Sequence, residues 1–511
     1  MLGTLILVGA VFYYLYYMFV DRRKAYPPGP MPLPFFGNML QFFQRKDQHK
    51  DILALSRKYG PVFTLWLGSD PNVMITDYQL IREALVKQGD VFAGRAPHFI
   101  FKGGSGKNLV REGRLWKEQK AFALHVLRDF GFGRPLMEQK IMAEVNKLVT
   151  NLTDLSRSAQ RKGISIVHPI ELCVVNIISM LLMGHTLDEE GKFRTIKDSL
   201  DEFIKFLAKP QGFLLTQYPW LRYVPLFGHF GFDEINVVRE NFFSFLNKEV
   251  AEHRAQFNPD EEPSDYAGAF LKEMHRREKA GEPLGTFHTW QLIISILDMW
   301  IAGMETSVTT LKWAILFMMR EPKVQEKCFQ ELEQVLHDGR EVPALKMEDR
   351  KRTPYLCATI AEIQRAGNIV PINLQHRTTV DTVLNGVPIR KGTSVIPQLA
   401  CTMHDERYFP QPEKFDPTRF LKEGNQLGKW SDFPQLSLDE SMLEKVIPFS
   451  LGKRACLGES LARMELYLIF GALVQKFHFA VPAGDPVPTD EPIEAFVRIP
   501  QDYNVQVTCR N

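Results

Sequence analysis

Residues 448–458 read Pro-Phe-Ser-Leu-Gly-Lys-Arg-Ala-Cys-Leu-Gly, and an apolar helical pattern follows from Leu457 to Lys476. Gly452 and Gly458 allow a tight loop, because glycine reaches positive φ and lets two backbones approach closely. Cys456 lies at the start of the predicted helix, where the thiolate form of a cysteine is stabilised. Phe449 screens the sulfur from water and Arg454 offers a cation for an anionic group, as a metal-bound thiolate requires. These residue types are the ones that a cysteine thiolate held beneath a haem iron needs around it.

A lone cysteine in a glycine-rich turn is usually a small buried hydrophobe. Here the ten residues from Phe449 to Gly458 match the pattern Phe-x-x-Gly-x-Arg-x-Cys-x-Gly in full, which disfavours that reading. The sequence therefore resembles the cytochrome P450 family, specifically its microsomal, drug- and lipid-oxidising type, and points to an invertebrate member. The resemblance spans essentially the whole chain. It implies haem b (iron protoporphyrin IX) as cofactor, a Cys456 iron ligand, and cofactor contacts from Phe449, Gly452, Arg454 and Gly458.

The bulk composition excludes some classes of function. The 511 residues include 62 basic and 60 acidic side chains, a formal net charge of +2. Phosphate binding needs a clear basic excess, so nucleic acid is not an expected partner. The six cysteines are scattered and form no CxxC pair, which is not typical of a disulfide scaffold and favours a reducing, cytosol-facing setting.

The N-terminal segment predicts a membrane anchor. Residues 2–20 (LGTLILVGAVFYYLYYMFV) carry no charge, and Asp21-Arg22-Arg23-Lys24 follows at once. As a helix this run spans roughly 28 Å, close to the thickness of a bilayer's hydrocarbon core. The alternatives are a removable signal peptide, which lacks a basic start and a cleavage site here, and a buried core helix. Basic residues after the run place the body in the cytosol, and we expect the endoplasmic reticulum membrane.

The rest of the chain predicts one large, mainly α domain with a small β region (α+β). The resemblance makes this a cytochrome P450 fold preceded by one transmembrane helix. We expect the anchor at 1–20, a basic and proline-rich linker at 21–38 and the haem-thiolate catalytic domain at 39–511. The clearest helical patterns are 136–157, 241–257, 289–320, 322–336 and 457–476. Strand-like runs are 62–67, 73–76, 394–397 and 383–384, the last followed by an Asn-Gly turn that is typical of hairpins.

Inside the long apolar helical pattern lies the run Ala302-Gly303-Met304-Glu305-Thr306. A glycine costs about 1 kcal/mol in the middle of a helix, and a threonine hydroxyl can bond back to an earlier carbonyl and bend it. The sequence therefore predicts a local distortion that holds water. By resemblance Glu305 and Thr306 are the catalytic acid–alcohol pair that delivers protons to dioxygen. In isolation, a solvated glutamate beside a capping-type threonine is equally consistent with the pattern.

A second helical pair, Glu362 and Arg365, is spaced i,i+3. Taken alone, such a pair is more often a surface ion pair of about 0.2–0.5 kcal/mol. The resemblance implies a buried triad with Arg419 that clamps the haem-bearing loop against the core.

The resemblance also implies partners for the haem propionates. These are Trp116, His376 and Arg95, with Lys120 where the family usually has arginine. Lysine keeps the charge but loses the planar, two-pronged donor geometry. Each of these side chains alone is more often a surface residue whose aliphatic part is buried.

We expect a monooxygenase that inserts one oxygen atom from O2 into a lipophilic substrate. The chain has no GxGxxG of a flavin- or nicotinamide-binding unit, so its electrons must come from a separate NADPH-dependent flavoprotein reductase, with cytochrome b5 as a further partner. Lys117, Lys120 and Lys453 could steer an acidic partner, or form an ordinary solvated face. The alternatives are an isomerase or dehydratase acting on lipid peroxides, and a non-enzymatic haem-binding protein.

By resemblance, five segments line the substrate pocket. Phe99, Phe101, Phe213 and Phe496 make this pocket aromatic and apolar, which suits fatty acids, eicosanoids or xenobiotics. The segments are Pro97–Leu109, Phe203–Phe213, the helix face before Ala302, Ile369–Leu374 and Ala495–Val497.

Overall fold

The computed structural model describes residues 2–42, 48–95, 112–130, 135–159, 162–187, 191–225, 227–336, 344–422, 436–493 and 497–510. Helices dominate these ranges. They are α1 (Leu2–Tyr16), α2 (Met39–Phe42), α3 (Gln48–Tyr59), α4 (Tyr78–Arg82), α5 (Arg114–Asp129), α6 (Pro135–Ser158), α7 (Val167–Met183), α8 (Lys192–Ala208), α9 (Pro210–Gln217), α10 (Phe227–Gln256), α11 (Tyr266–Lys279), α12 (Thr289–Arg320), α13 (Pro322–Leu336), α14 (Pro354–Gly367), α15 (Leu399–Met403), α16 (Glu440–Leu443) and α17 (Glu459–Lys476).

The strands are short. They are β1 (Val62–Leu67), β2 (Asp70–Ile75), β3 (Gly94–Arg95), β4 (His376–Arg377), β5 (Thr382–Leu384), β6 (Val387–Ile389), β7 (Ser394–Pro397), β8 (Phe477–Ala480), β9 (Pro492–Ile493), β10 (Ile499–Pro500) and β11 (Gln506–Cys509). Five of them form a mixed sheet in the order β1-β2-β7-β4-β3, and the others form three two-stranded pairs. The predicted mainly helical fold with a small β region is confirmed.

Most predicted elements lie within three residues of the bounds that the sequence indicates. α12, α13, β1 and β7 begin and end at the predicted residues, and the Asn385-Gly386 turn joins β5 to β6. α17 starts at Glu459, two residues later than predicted, with Gly458 as its N-cap. The largest difference is α10, which begins at Phe227 instead of residue 241. Its first turn contains three consecutive residues with positive φ, from His229 to Gly231, which a regular helical pattern does not indicate.

The core is built around α12. This helix packs against α7, and the Cβ of any residue larger than glycine at position 303 would lie 2.7 Å from the Cδ1 atom of Ile178. Gly303 thus lies where the two helices approach closely, and a larger residue there would require the Ile178 side chain to shift. Among the described residues, α12 is the one helix that is long and apolar enough to cross a membrane, and 56% of its most apolar window is buried inside the protein. Its length and hydropathy are explained by its place in the core.

The segment that follows α1, residues 22–38, contacts the sheet at both of its ends. α1 continues as a helical turn over Tyr17–Asp21. The Arg22 guanidinium donates to the Ser69 carbonyl at 2.8 Å and lies 4.9 Å from the centre of the Trp66 ring. Asn38 accepts a hydrogen bond from the Trp66 backbone N–H at 2.8 Å. These contacts fix both ends of the proline-rich segment to β1 and to the turn that follows it.

Candidate active site

The loop before α17 holds Cys456 in an accessible position. The Cys456 backbone N–H donates to the Phe449 carbonyl at 2.9 Å, which closes the loop. Gly452 has φ +75°, and a Cβ at this position would lie 1.9 Å from the Leu85 carbonyl oxygen, so only glycine fits. The Cys456 side chain is exposed. Its neighbours still desolvate the sulfur enough to raise the pKa of the thiol, while the backbone N–H of Gly458 lowers it.

Near this loop lie three cationic side chains and one histidine (Arg95, Lys120, Arg454 and His376), which we call the cation group. The register of two short strands explains part of this arrangement. β3 pairs with β4 so that Arg95 is directly opposite His376, which places both side chains on one face of the sheet. The Arg454 guanidinium lies 3.4 Å from the centre of the Trp116 ring, and its Nε donates to the Ala93 carbonyl at 2.7 Å. Lys120 donates to the Lys453 carbonyl and lies 5.4 Å from the same tryptophan ring.

The charges of this group are only partly compensated, because Glu112 is the one carboxylate described near them. Burial, followed by the charge of Arg454, lowers the pKa of Arg95 to about 9. Burial lowers the pKa of Arg454 to about 10, although the charge of Glu112 partly offsets this. Burial, then Arg454 and Arg95, lowers the pKa of Lys120. Burial and the charge of Arg95 lower the pKa of His376 to about 3. In the part of the chain that the structure describes, none of the four forms an ion pair with a carboxylate side chain.

Two buried atoms of this group also lack a hydrogen-bond partner. They are the Nε2 atom of His376, whose Nδ1 contacts the Phe92 carbonyl at 2.8 Å, and the Nη2 atom of Arg454. Buried donors and cations without partners are costly, and a ligand with carboxylate groups would satisfy them. Haem carries two propionates and an iron that takes a thiolate, so the donor set around Cys456 fits this cofactor.

Thr306 and Glu305 are adjacent in α12, but their side chains have different hydrogen-bond partners. The Thr306 hydroxyl donates to the Ala302 carbonyl at 2.6 Å, as predicted, but α12 continues without a break through this point. The predicted distortion is thus limited to this bond. The Glu305 carboxylate accepts a hydrogen bond from Thr309 at 3.4 Å, one turn further on. Burial raises the pKa of Glu305, and the charge of Lys197 partly offsets this.

One contact beside this pair is not evident from the sequence. The Ser307 hydroxyl donates to a carboxylate oxygen of Glu465 at 2.7 Å, and Glu465 is fully buried in α17. This bond ties α12, next to Thr306, to the helix that follows Cys456. Burial raises the pKa of Glu465 to about 8, because the hydrogen bond from Ser307 compensates only part of the desolvation.

The Glu362, Arg365 and Arg419 side chains form a buried network. Arg365 donates to both carboxylate oxygens of Glu362, at 2.7 and 2.9 Å, and both side chains are fully inaccessible. Arg419 donates to Glu362 at 3.2 Å, and the Asp416 backbone N–H donates to the same oxygen at 2.8 Å. Arg365 also binds the Met403 carbonyl. The network joins α14 to residues 403–419, which lead toward the Cys456 loop.

Two further contacts support the loop. Asn373 donates to the Ser450 hydroxyl at 2.7 Å, and the Arg463 guanidinium lies 5.0 Å from the centre of the Phe449 ring. Ser450 has a φ of +60°, which no sequence pattern indicates. Of the predicted pocket, Pro97–Leu109 with Phe99 and Phe101, as well as Phe496, lie outside the described residues, and the structure does not describe the Phe213 side chain.

Comparison with known proteins agrees with this geometry. The family model described as Cytochrome P450 matches residues 27–507. The chain is similar to Cytochrome P450 2D20 of Mesocricetus auratus, at 35% identity over 98% of each chain. It is similar to Cytochrome P450 2J5 of Mus musculus, at 34% identity over 95% of this chain and 92% of the relative. It is also similar to Probable cytochrome P450 CYP36A1 of Caenorhabditis elegans, at 32% identity over 96% of each chain. The chain belongs to the cytochrome P450 family, and it is therefore a monooxygenase that binds haem through a cysteine thiolate.

Proposed function

We propose that Cys456 is the iron ligand and that the chain oxidises a lipophilic substrate such as a fatty acid, an eicosanoid or a xenobiotic. The observation that carries this proposal is the group of cations and the histidine beside the accessible sulfur, which include two buried nitrogen atoms without a hydrogen-bond partner. Arg95, Lys120, His376 and Arg454 would hold the propionates, with Trp116 packed beneath Arg454. Phe449, Gly452 and Gly458 would shape the loop around the sulfur. Bound haem supplies the activation of dioxygen, which a thiolate ligand promotes by pushing electron density toward the O–O bond.

The chain's own part in the reaction is to position and move protons. The Thr306 hydroxyl and the Glu305 carboxyl belong to adjacent residues of one helix, which the bond between Ser307 and Glu465 ties to the helix after Cys456. A carboxyl whose pKa is raised toward neutrality is better suited to give up a proton at physiological pH. We assign Glu305 the role of proton source and Thr306 that of the group that orients delivery.

Replacing Thr306 tests this assignment. Thr306→Ala should bind haem and substrate normally, because it alters neither Cys456 nor the cation group. Product formed per NADPH oxidised should fall several-fold or more, with hydrogen peroxide rising in step. Acid–base positioning contributes about 10²–10⁴-fold, and water replaces the hydroxyl only in part. Thr310→Ala is a matched control, because it removes a similar back-bond, 2.8 Å long, one turn further along α12. Unchanged coupling in Thr306→Ala would remove this hydroxyl from the mechanism.

Electrons would come from a separate NADPH-dependent flavoprotein reductase, with cytochrome b5 as a further donor. Of the three lysines that the sequence indicates for steering an acidic partner, Lys453 pairs with Asp90 and Lys120 binds the Lys453 carbonyl. Lys117 is exposed. Lys117 is therefore the candidate among them for a contact with an acidic surface.

We also propose that α1 and the turn after it anchor the chain in the endoplasmic reticulum membrane, with the body in the cytosol. Leu2–Asp21 is helical throughout, about 30 Å at 1.5 Å per residue, and its first charged residue is Asp21. The domain limits then stay at 1–20 for the anchor, 21–38 for the linker and 39–511 for the catalytic domain. The contacts of Arg22 and Asn38 with the sheet support a linker that holds the body close to the bilayer.

Protease protection tests the anchor and its direction. Full-length protein made in sealed microsomes should pellet with them after a high-salt wash, and added protease should digest the body. Deleting residues 2–20 should move most of the protein into the supernatant, because the apolar run is the source of membrane affinity. Leu136→Ser, at an exposed apolar residue of α6, is the control and should change nothing. A protected body would show that the orientation is wrong.

A further inference from the structure

Glu112 connects two of the elements that carry the cation group. Its Oε2 atom accepts a hydrogen bond from the Arg95 backbone N–H in β3, at 2.9 Å. A Cβ at Gly94 would lie 2.9 Å from the same oxygen, so the carboxylate occupies the space that a side chain would take there. Glu112 precedes α5, the helix that carries Trp116 and Lys120, by two residues. The carboxylate thus joins β3 to the start of α5.

The Arg95 side chain is held by other partners. Its Nη1 atom donates to the Leu374 and Gln375 carbonyls, both at 2.9 Å, and only 8% of the residue is exposed. These bonds direct the guanidinium toward carbonyl oxygens. Within the described ranges, Glu112 binds the Arg95 backbone and forms no ion pair with the guanidinium. The negative charge of Glu112 is therefore not consumed by one partner and acts on the cation group as a whole.

The charges of the site balance only when Glu112 is counted together with the cofactor. Arg95, Lys120 and Arg454 contribute three positive charges, and His376 is neutral because burial lowers its pKa to about 3. The two propionates of haem contribute two negative charges, which leaves an excess of one positive charge. The Glu112 carboxylate supplies the one negative charge that removes this excess. Its charge already acts on Arg454, where it partly offsets the effect of burial on the pKa.

We propose that Glu112 is a positioning residue of the haem site: its carboxylate clasps β3 to α5, and its negative charge lowers the reduction potential of the bound iron. The inference rests on the proposed function, which assigns the haem propionates to the cation group. Reduction adds one electron to the iron and so lowers its charge by one. A nearby negative charge opposes this step, and its removal favours the reduced iron. Glu112 would therefore limit how readily the reductase reduces the protein.

The test uses full-length holoenzyme of the wild type, Glu112→Gln and Glu112→Ala. Glu112→Gln removes the charge and keeps an oxygen that can accept from the Arg95 N–H, whereas Glu112→Ala removes both. Asp129→Asn is the matched control, because Asp129 is an exposed carboxylate at the other end of α5, about 22 Å along the helix from Arg114. The first readout is the reduction potential, titrated with redox mediators at low and at high salt. The second is the rate at which haem transfers to excess apomyoglobin.

Glu112→Gln should raise the potential, so that the equilibrium constant for reduction increases about threefold to tenfold, where tenfold corresponds to 59 mV for one electron. The difference from wild type should shrink at high salt, because Glu112 is exposed and salt screens its charge. Haem should leave this variant no faster than it leaves wild type. Glu112→Ala should show a similar rise in potential and should lose haem several-fold faster, because the clasp is also lost. Asp129→Asn should change neither quantity.

An unchanged potential in Glu112→Gln would overturn the proposal, whatever the result for Glu112→Ala, because the carboxylate would then be structural only. Faster loss of haem from Glu112→Gln, or an equal rise in potential in Asp129→Asn, would overturn it as well.

Arg454→Met separates these outcomes from a failure of the proposed function. This substitution removes a cation of the site, so it should lower the potential and speed the loss of haem. If Arg454→Met changes neither quantity, the cation group does not hold the propionates, and the proposed site fails together with the inference. Normal effects of Arg454→Met with an unchanged potential in Glu112→Gln would overturn the inference alone.

Discussion

Cys456→His should lose the strongly red-shifted haem band that the reduced carbon monoxide complex of a thiolate-ligated P450 shows. Reductase-driven oxygenation should fall by more than about 100-fold. Replacing a partner of a metal ligand already costs about 10- to 100-fold, and this substitution replaces the ligand itself. The cation group is untouched, so much of the haem should still be retained, with a histidine-type spectrum. The measurement is the reduced carbon monoxide spectrum alongside haem content per protein.

Cys509→Ser is the matched control for this experiment. Cys509 is the other exposed cysteine among the described residues, and it lies in β11, far along the chain from the loop. Its replacement should leave the spectrum unchanged. Retention of the red-shifted band in Cys456→His would mean that another cysteine supplies the thiolate.

Arg365→Met should destabilise the protein by about 3–5 kcal/mol, the cost of leaving one member of a buried ion pair without its partner. Glu362 would keep Arg419 and the Asp416 backbone N–H but lose both bonds from Arg365. The variant should unfold at lower denaturant concentration, and its haem content should fall because the segment leading to Cys456 loses its clamp. Denaturant unfolding followed by both circular dichroism and haem absorbance gives both quantities.

Arg157→Met is the matched control for Arg365→Met in the same unfolding measurement. Arg157 pairs with Asp154 at the same i,i+3 spacing, but their side chains are 76% and 71% exposed. An exposed pair of this kind contributes little, so the change in stability should stay below about 0.5 kcal/mol. Equal effects of the two substitutions would show that the Glu362 network does not clamp the core.

The sequence indicates the residues of the site better than their contacts. The loop around Cys456 is predictable because its constraints are local: glycines where backbones meet and a cysteine at a helix start. The bounds of α12 are also predictable, because its mainly apolar pattern continues from a histidine N-cap to Arg320. In contrast, Glu305 and Thr306 are adjacent in sequence, yet their side chains bind different partners one turn away on either side.

Long-range contacts account for what the sequence does not indicate. The Trp313 indole N–H donates to the Arg498 carbonyl, 185 residues away, and the Ser307 hydroxyl donates to Glu465, 158 residues away. Neither pair has a local pattern that links its members. Lys120 is intermediate: its charge is evident from the sequence, but its bond to the Lys453 carbonyl appears only in the fold. This contact places a cation beside Arg454 without the two-pronged geometry of an arginine.

The fate of the oxygen atom distinguishes a monooxygenase from a haem-thiolate isomerase. The protein would be reconstituted with NADPH and flavoprotein reductase under ¹⁸O₂, using lipophilic compounds that first give a spectral shift on binding. We expect one ¹⁸O atom in each product molecule and strict dependence on the reductase. Product without label, formed from lipid peroxides when no reductase is present, would contradict this expectation and identify the protein as a haem-thiolate isomerase.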